Sequence, residues 1–248
     1  YSSVCQRALL RLPRSDIPAC MESKQVYQRE VNGGELSGTL SYMGPEVLRY
    51  GIIYPRIKET TAVEQRINRY HQNQAKSFER LIKNQYLPAA REQCKAMAGH
   101  EGFMPFEIMA SHQVMYNSGQ VLSMFTDTYF QLRHQGTRLA RSSRTYDMKT
   151  GRVLLLPQLF SRGNLFRQSI AGTVQAEIEK EAEKHVGVYF SDWPQLFPRA
   201  IRDSSYYLAD DGIVIYYQEN VIASKNAGLP SFLVPFSQFD GQLQFGLQ

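Results

Sequence analysis

The sequence has no run of apolar residues approaching the roughly 18 that a membrane-spanning helix needs, so no such helix is expected in it. It has no run of five like charges, which excludes a polyanionic or polycationic tail. Cysteine is scarce: Cys5, Cys20 and Cys94 are odd in number, and their spacings match no zinc pattern. Cys5 and Cys20 enclose a Pro-containing segment and read either as a disulfide of an exported protein or as two free thiols. Cys94 holds an apolar helical position and reads as a buried core thiol. The chain lacks a Gly-rich phosphate loop, a Gly-x-Ser-x-Gly elbow and a His-Glu-x-x-His pair. Its histidines, His71, His100, His112, His134 and His185, fall on different elements. No motif therefore calls for a cofactor or a metal.

What is present suits a folded domain. The 248 residues are 43% hydrophobic and 21% charged, enough apolar material for a core without disulfides or metals. The net charge of +5 favours anionic neighbours such as wall polymers or membrane surfaces, or does no more than keep the chain soluble. The start at Tyr1 leads to the expectation of a mature fragment, with any export signal or anchor upstream.

Hydrophobic periodicity predicts strands, a long helix, strands, a second helix and strands. Residues 1–22 read as a lead-in. Gln25–Val31, Glu35–Met43 and Val47–Ile57 read as strands, with turns at Asn32-Gly33-Gly34 and Gly44-Pro45. Thr61-Ala-Val-Glu64 has capping-box spacing. Val63, Ile67, Tyr70, Gln74, Phe78, Leu81 and Ile82 then form one helical stripe, and Pro88 is expected to kink or interrupt it. Three strands follow between Phe106 and Asp147, turning at Asn117-Ser118-Gly119. A second tight turn, Lys149-Thr-Gly151, leads into a fourth, Val153–Leu156. A second helix starts near Asn164, with Phe166, Ile170, Val174 and Ile178 on one face. Between Tyr206 and Phe236, Asp211-Gly212 predicts a hairpin whose glycine supplies positive φ. This order argues for an α+β fold: antiparallel sheets, two main helices packed on them, and two closely joined subdomains.

Candidate site residues are few. Arg133, His134, Arg138, Arg141 and Arg144 fall within twelve residues, with Arg138 and Arg144 on one face of a predicted strand and Arg141 on the other. Arginine pairs bidentately with carboxylates or phosphates, so the cluster reads as a partner-facing surface or as an ordinary solvated face. Nucleic-acid binding is disfavoured, because no aromatic stacking motif accompanies it. A dispersed hydrolase site would draw on His134 and Asp147. Asp147, Asp210 and Asp211 also fit turn chemistry.

Tyr50-Gly-Ile-Ile-Tyr-Pro-Arg-Ile resembles the opening of the PdaC-like domain of bacterial cell-envelope proteins, and Thr145-Tyr-Asp-Met-Lys-Thr-Gly followed by Leu159-Phe160 resembles a later segment of that family. Tyr207–Gln218 with Ala227-Gly-Leu-Pro230 and Val234-Pro-Phe236 is similar to the end of the RsiV-like C-terminal domain. The resemblance implies a lead-in over 1–44, a PdaC-like domain over 45–150 and an RsiV-like domain over 151–248. It implies a non-catalytic, extracytoplasmic binding or sensing module, secreted or held to the membrane through an N-terminal anchor. RsiV-type anti-sigma factors bind lysozyme, so the implied partners are lysozyme or another wall-directed protein, and next peptidoglycan. A wall hydrolase, a deacetylase-associated accessory domain and a structural lipoprotein are the alternatives. The sequence departs from the family pattern at Arg133–Leu139 and at Asn220–Lys225, two expected surface loops where binding residues tend to lie.

Overall fold

The computed structural model of the chain describes residues 28–97, 103–132, 136–161, 165–239 and 241–247. Six strands form one sheet in sequence order: β1 (Val31–Ser41), β2 (Glu46–Ile57), β3 (Phe106–Ser118), β4 (Val121–Leu132), β5 (Gly136–Asp147) and β6 (Arg152–Leu154). As expected, the fold is α+β. Pairing in this sheet is antiparallel except between β2 and β3, which run parallel. That departure follows from the helical segment between them, because a crossover returns the chain to the end of the sheet it left.

Asn32-Gly33-Gly34 does not turn the chain; it lies inside β1. The glycines are there for space. Gly34 and Gly38 sit opposite Tyr54 and Tyr50 of β2, whose rings lie across β1 where a Cβ would otherwise project. Large aromatic rings packed on strand glycines restore the apolar contact those glycines lack. Residues 25–27 of the first expected strand lie outside the described residues.

The capping box forms as predicted. Glu64 N donates to Thr61 Oγ1 (3.2 Å), and Thr61 N donates to Glu64 Oε2 (2.9 Å), starting α1 (Ala62–Leu81). As expected, the α-helix is interrupted at Pro88. Residues Ile82–Tyr86 widen into a π turn, and α2 (Leu87–Ala96) carries Pro88 in its first turn, where a missing N–H costs nothing. Ile67, Ala75, Ile82 and Ala90 are buried, whereas Leu81 turns to solvent. Along most of their length α1 and α2 cover Val47, Leu48, Ile52, Phe106 and Ile108 on one face of the sheet.

The remaining chain builds a second layer. α3 (Leu165–Lys184) buries Phe166, Ile170, Val174 and Ile178, the predicted face; Asn164 lies outside the described residues. α4 (Trp193–Ala200) has no counterpart among the sequence expectations, because eight residues holding Pro194 and Pro198 read as a breaker. β7 (Tyr206–Ala209), β8 (Gly212–Tyr216) and β9 (Ser231–Pro235) form an antiparallel sheet of three. The β7–β8 hairpin is where the sequence placed it, but none of Asp210, Asp211 and Gly212 has positive φ. Gly212 instead admits β9, because a Cβ there would overlap the carbonyl of Val234. The Asn220–Lys225 bend is more than a surface loop: Ile222 and Ala223 are buried, and Phe190 N donates to Ile222 O while Ser224 N donates to Val188 O.

The two sheets meet through hydroxyls. β7 is an edge strand, and its outer edge faces β4 and β5. Leu208 N donates to Ser123 Oγ (2.9 Å), Ser123 Oγ pairs with Thr145 Oγ1 (2.8 Å), and Ser143 Oγ donates to Tyr206 O. Ser123 and Thr145 are almost wholly buried. Side-chain hydroxyls thus satisfy backbone groups that a further strand would otherwise meet. Ser123→Ala strands the Leu208 amide without its acceptor and is expected to cost about 1–3 kcal/mol. Urea unfolding of the wild type and S123A measures this, and an unchanged midpoint would refute the role assigned to the seam.

Candidate functional site

β6 pairs only with Thr145, Tyr146 and Asp147, so the outer edge of β5 from Gly136 to Arg144 has no strand partner. Beside this edge lies a cleft of about 810 Å³. Its floor is the helix-side face of β4 and β5, with Met124, Thr126, Thr128, Ser142 and Arg144. Tyr70, His71, Gln74 and Phe78 of α1 form one wall, and Ala200, Arg202, Ser204 and Ser205 with Tyr216 to Gln218 form the other. Among the described residues no aspartate or glutamate lines the cleft, whereas Arg141, Arg144 and Arg202 do.

The basic cluster does not act as one surface. Arg141 faces the three-stranded sheet. Its guanidinium lies 3.8 Å from the Phe125 ring centroid and donates twice to the Asp127 carboxylate at 2.7 Å. Its backbone N–H donates to Gln218 Oε1 (3.1 Å), and Gln218 Nε2 donates to its carbonyl (2.6 Å), so one side-chain amide caps the open edge of β5 as a strand would. Arg138 is exposed over Phe130, with 4.8 Å to the ring centroid, and stands outside the cleft. Arg144 is half-buried over Tyr70, 4.6 Å from the ring centroid, and points into the cleft. Arg133 and His134 lie outside the described residues.

His71, on α1, is a titratable group at the cleft that no sequence motif singles out. Its Nε2 shares a hydrogen bond of 2.9 Å with Tyr146 Oη. Burial, and then the nearby Arg144 and His112, push its pKa from 6.5 down to about 3, so the imidazole is neutral across the physiological range. Burial also raises the Tyr146 phenol above its ordinary value. The signal that could have found His71 is the run Tyr70-His71 on the inward side of α1, opposite a strand carrying Arg144 and Tyr146.

Asp147 serves a turn. It accepts from Thr150 Oγ1 (2.6 Å), Gln120 Nε2 (2.9 Å) and Lys149 N (3.0 Å). Burial raises its pKa, but these donors more than offset that, and the net shift is downward. Gly151 takes φ 71° to close the same turn, as the sequence predicts. Cys94 is half-buried against the core under α2, and Cys5 and Cys20 lie outside the described residues. Among the described residues no group of three His, Cys, Asp or Glu side chains could hold a metal ion, and no helix is long and apolar enough to cross a membrane. Within the cleft, no Ser or Thr hydroxyl bonds to an imidazole or a carboxylate. Ser143 Oγ is engaged by Ser204 O, Tyr206 O and Tyr216 Oη.

Two outcomes follow from these placements. Arg141→Ala leaves Asp127 without its partner and empties the stack on Phe125. It is expected to destabilise by on the order of 2 kcal/mol, and Arg138→Ala by under about 0.5 kcal/mol, in parallel urea titrations. For His71, the native pKa lies below the unfolded one, so the unfolded chain takes up a proton first as the pH falls. The stabilising contribution is complete above about pH 6.5 and is lost progressively towards pH 3, with a slope of at most about 1.4 kcal/mol per pH unit. Between about pH 7 and 5, while carboxylates remain ionised, His71→Gln should flatten this loss. Equal slopes for both proteins would contradict the assignment.

Residues 158–237, from the end of the turn after β6 through α3, α4, β7, β8 and β9, match the family described as "Protein of unknown function (DUF3298)". A crystal structure of a DUF3298 family member from Bacteroides fragilis has a TM-score of 0.65 at 14% identity, covering 87% of this chain and 93% of that one. A DUF3298 family protein from Pseudomonas aeruginosa PAO1 has a TM-score of 0.55 at 13% identity, covering 88% and 95%. No curated protein matches the chain. At such identities the likeness is one of fold: residues 158–237 are similar to the DUF3298 family, within an architecture similar to both of those structures.

Proposed function

We propose that this protein is a non-catalytic, extracytoplasmic binding module of the bacterial cell envelope, related to PdaC-like and RsiV-like proteins, and that it holds its ligand in the cleft beside β5. The observation that carries the reading is the lining of that cleft: hydroxyls, aromatic rings and arginines, with no acidic residue among them. Glycoside hydrolysis in most families uses two carboxylates flanking the bond. Acyl transfer by a serine uses a hydroxyl bonded to a base. The lining residues make up neither arrangement, while an open cleft with hydroxyl donors and aromatic walls suits reversible binding.

Of the partner classes implied by the resemblance, the charge of the cleft favours fragments of peptidoglycan, whose stem peptides carry carboxylates, over a basic wall-directed protein. Calorimetric titration of the chain with soluble muropeptides, and separately with lysozyme, tests the reading. Binding of muropeptides is expected, with its loss in Ser142→Phe, which fills the floor. An absence of heat from every one of these ligands at millimolar concentration would overturn the proposal.

A further inference from the structure

Arg29, Arg141 and Arg144 are the described arginines that are not exposed. Arg29 pairs with Glu64 at 3.2 Å and Arg141 with Asp127 at 2.7 Å. Arg144 has no carboxylate partner among the described residues; its contact is the Tyr70 ring. A cation drawn partly out of water costs free energy unless an anion answers it, which is why the other two are paired. Arg144 also stands in a cleft whose described lining residues include no acid to neutralise it, beside a neutral His71.

We infer that Arg144 is a carboxylate anchor, so that the cleft selects a ligand bearing a free carboxylate. This rests on the binding reading above and names the ligand chemistry of that same site. The planar guanidinium matches a carboxylate bidentately, and the Tyr70 face fixes its plane while shielding one side from water. Thr126 and Ser142 face each other across β4 and β5 on the same face of the sheet, one pair along from Met124 and Arg144. They supply neutral donors to the rest of the ligand rather than further charge. A phosphate dianion would call for more than one close cation, but Arg141 is already neutralised by Asp127, and Arg202 is exposed at the rim. A single half-buried guanidinium among hydroxyls fits a singly charged carboxylate on a peptide or sugar acid.

The test uses the described chain and four soluble probes: a muropeptide with free carboxylates, the same muropeptide with those carboxylates amidated, an uncharged chito-oligosaccharide and inorganic phosphate. The acid is expected to bind about tenfold or more tightly than its amide, and Arg144→Gln to lose about tenfold in affinity for the acid alone. Arg144→Lys should retain part of the affinity, and Arg138→Ala, on the same strand outside the cleft, all of it. Should R144Q not fold, the acid-to-amide ratio on the wild type still decides. Equal binding of acid and amide, or tighter binding of phosphate, would overturn the carboxylate anchor while leaving the binding module standing. Failure of every probe to bind would remove both.

Discussion

A strand edge can be buried against another sheet only if its N–H and C=O groups find partners there. In this protein the partners are two hydroxyls, with a third behind them. Ser123 and Ser143 project from β4 and β5 and take the place of a strand beside β7, and Thr145 pairs with Ser123. Because this seam is closed, Leu208 can be completely buried and the three-stranded sheet can lean on the six-stranded one. Phe125, Tyr207 and Tyr216 then fill the space between them. The Arg141–Asp127 pair spans neighbouring strands β4 and β5 and lies on that aromatic cluster, where the guanidinium also reaches the Tyr207 and Tyr216 rings of the second sheet.

The cleft is a consequence of the same junction. The second layer brings Ala200, Arg202, Ser204, Ser205 and Tyr216 to Gln218 alongside β5, while α1 stands on the other side. Between them the edge of β5 is left open, because β6 stops after three residues. Gln218 covers one residue of that edge with its amide, and the floor beyond it stays accessible. Two arginines three positions apart on one strand then meet opposite circumstances. Arg141 turns towards the second sheet and finds Asp127. Arg144 turns towards α1 and finds an aromatic ring without an acid.

Much of this architecture is legible in the sequence, for identifiable reasons. The capping box at Thr61, the apolar faces of α1 and α3, and the turns at Gly119 and Gly151 each depend on residues within one or two helical turns of each other. The misreadings arise where distant chain decides. Gly33-Gly34 carries a turn signal, yet Tyr54 across the sheet claims the space over Gly34, and the pair extends β1. Gly212 looks like a glycine kept for its backbone freedom, yet the approach of β9 explains it.

For the site, the sequence by itself determined which charges exist and how they alternate. Strand periodicity sends Arg138 and Arg144 to one face and Arg141 to the other, because successive side chains on a strand point to opposite sides. Only the tertiary structure decided what each one meets. Asp127, Tyr70, His71 and Gln218 come from other elements, and nothing local in the sequence joins them to β5. Whether an arginine is neutralised or left open to a ligand depends on which acid is packed within reach, and packing brings one to Arg141 and none to Arg144.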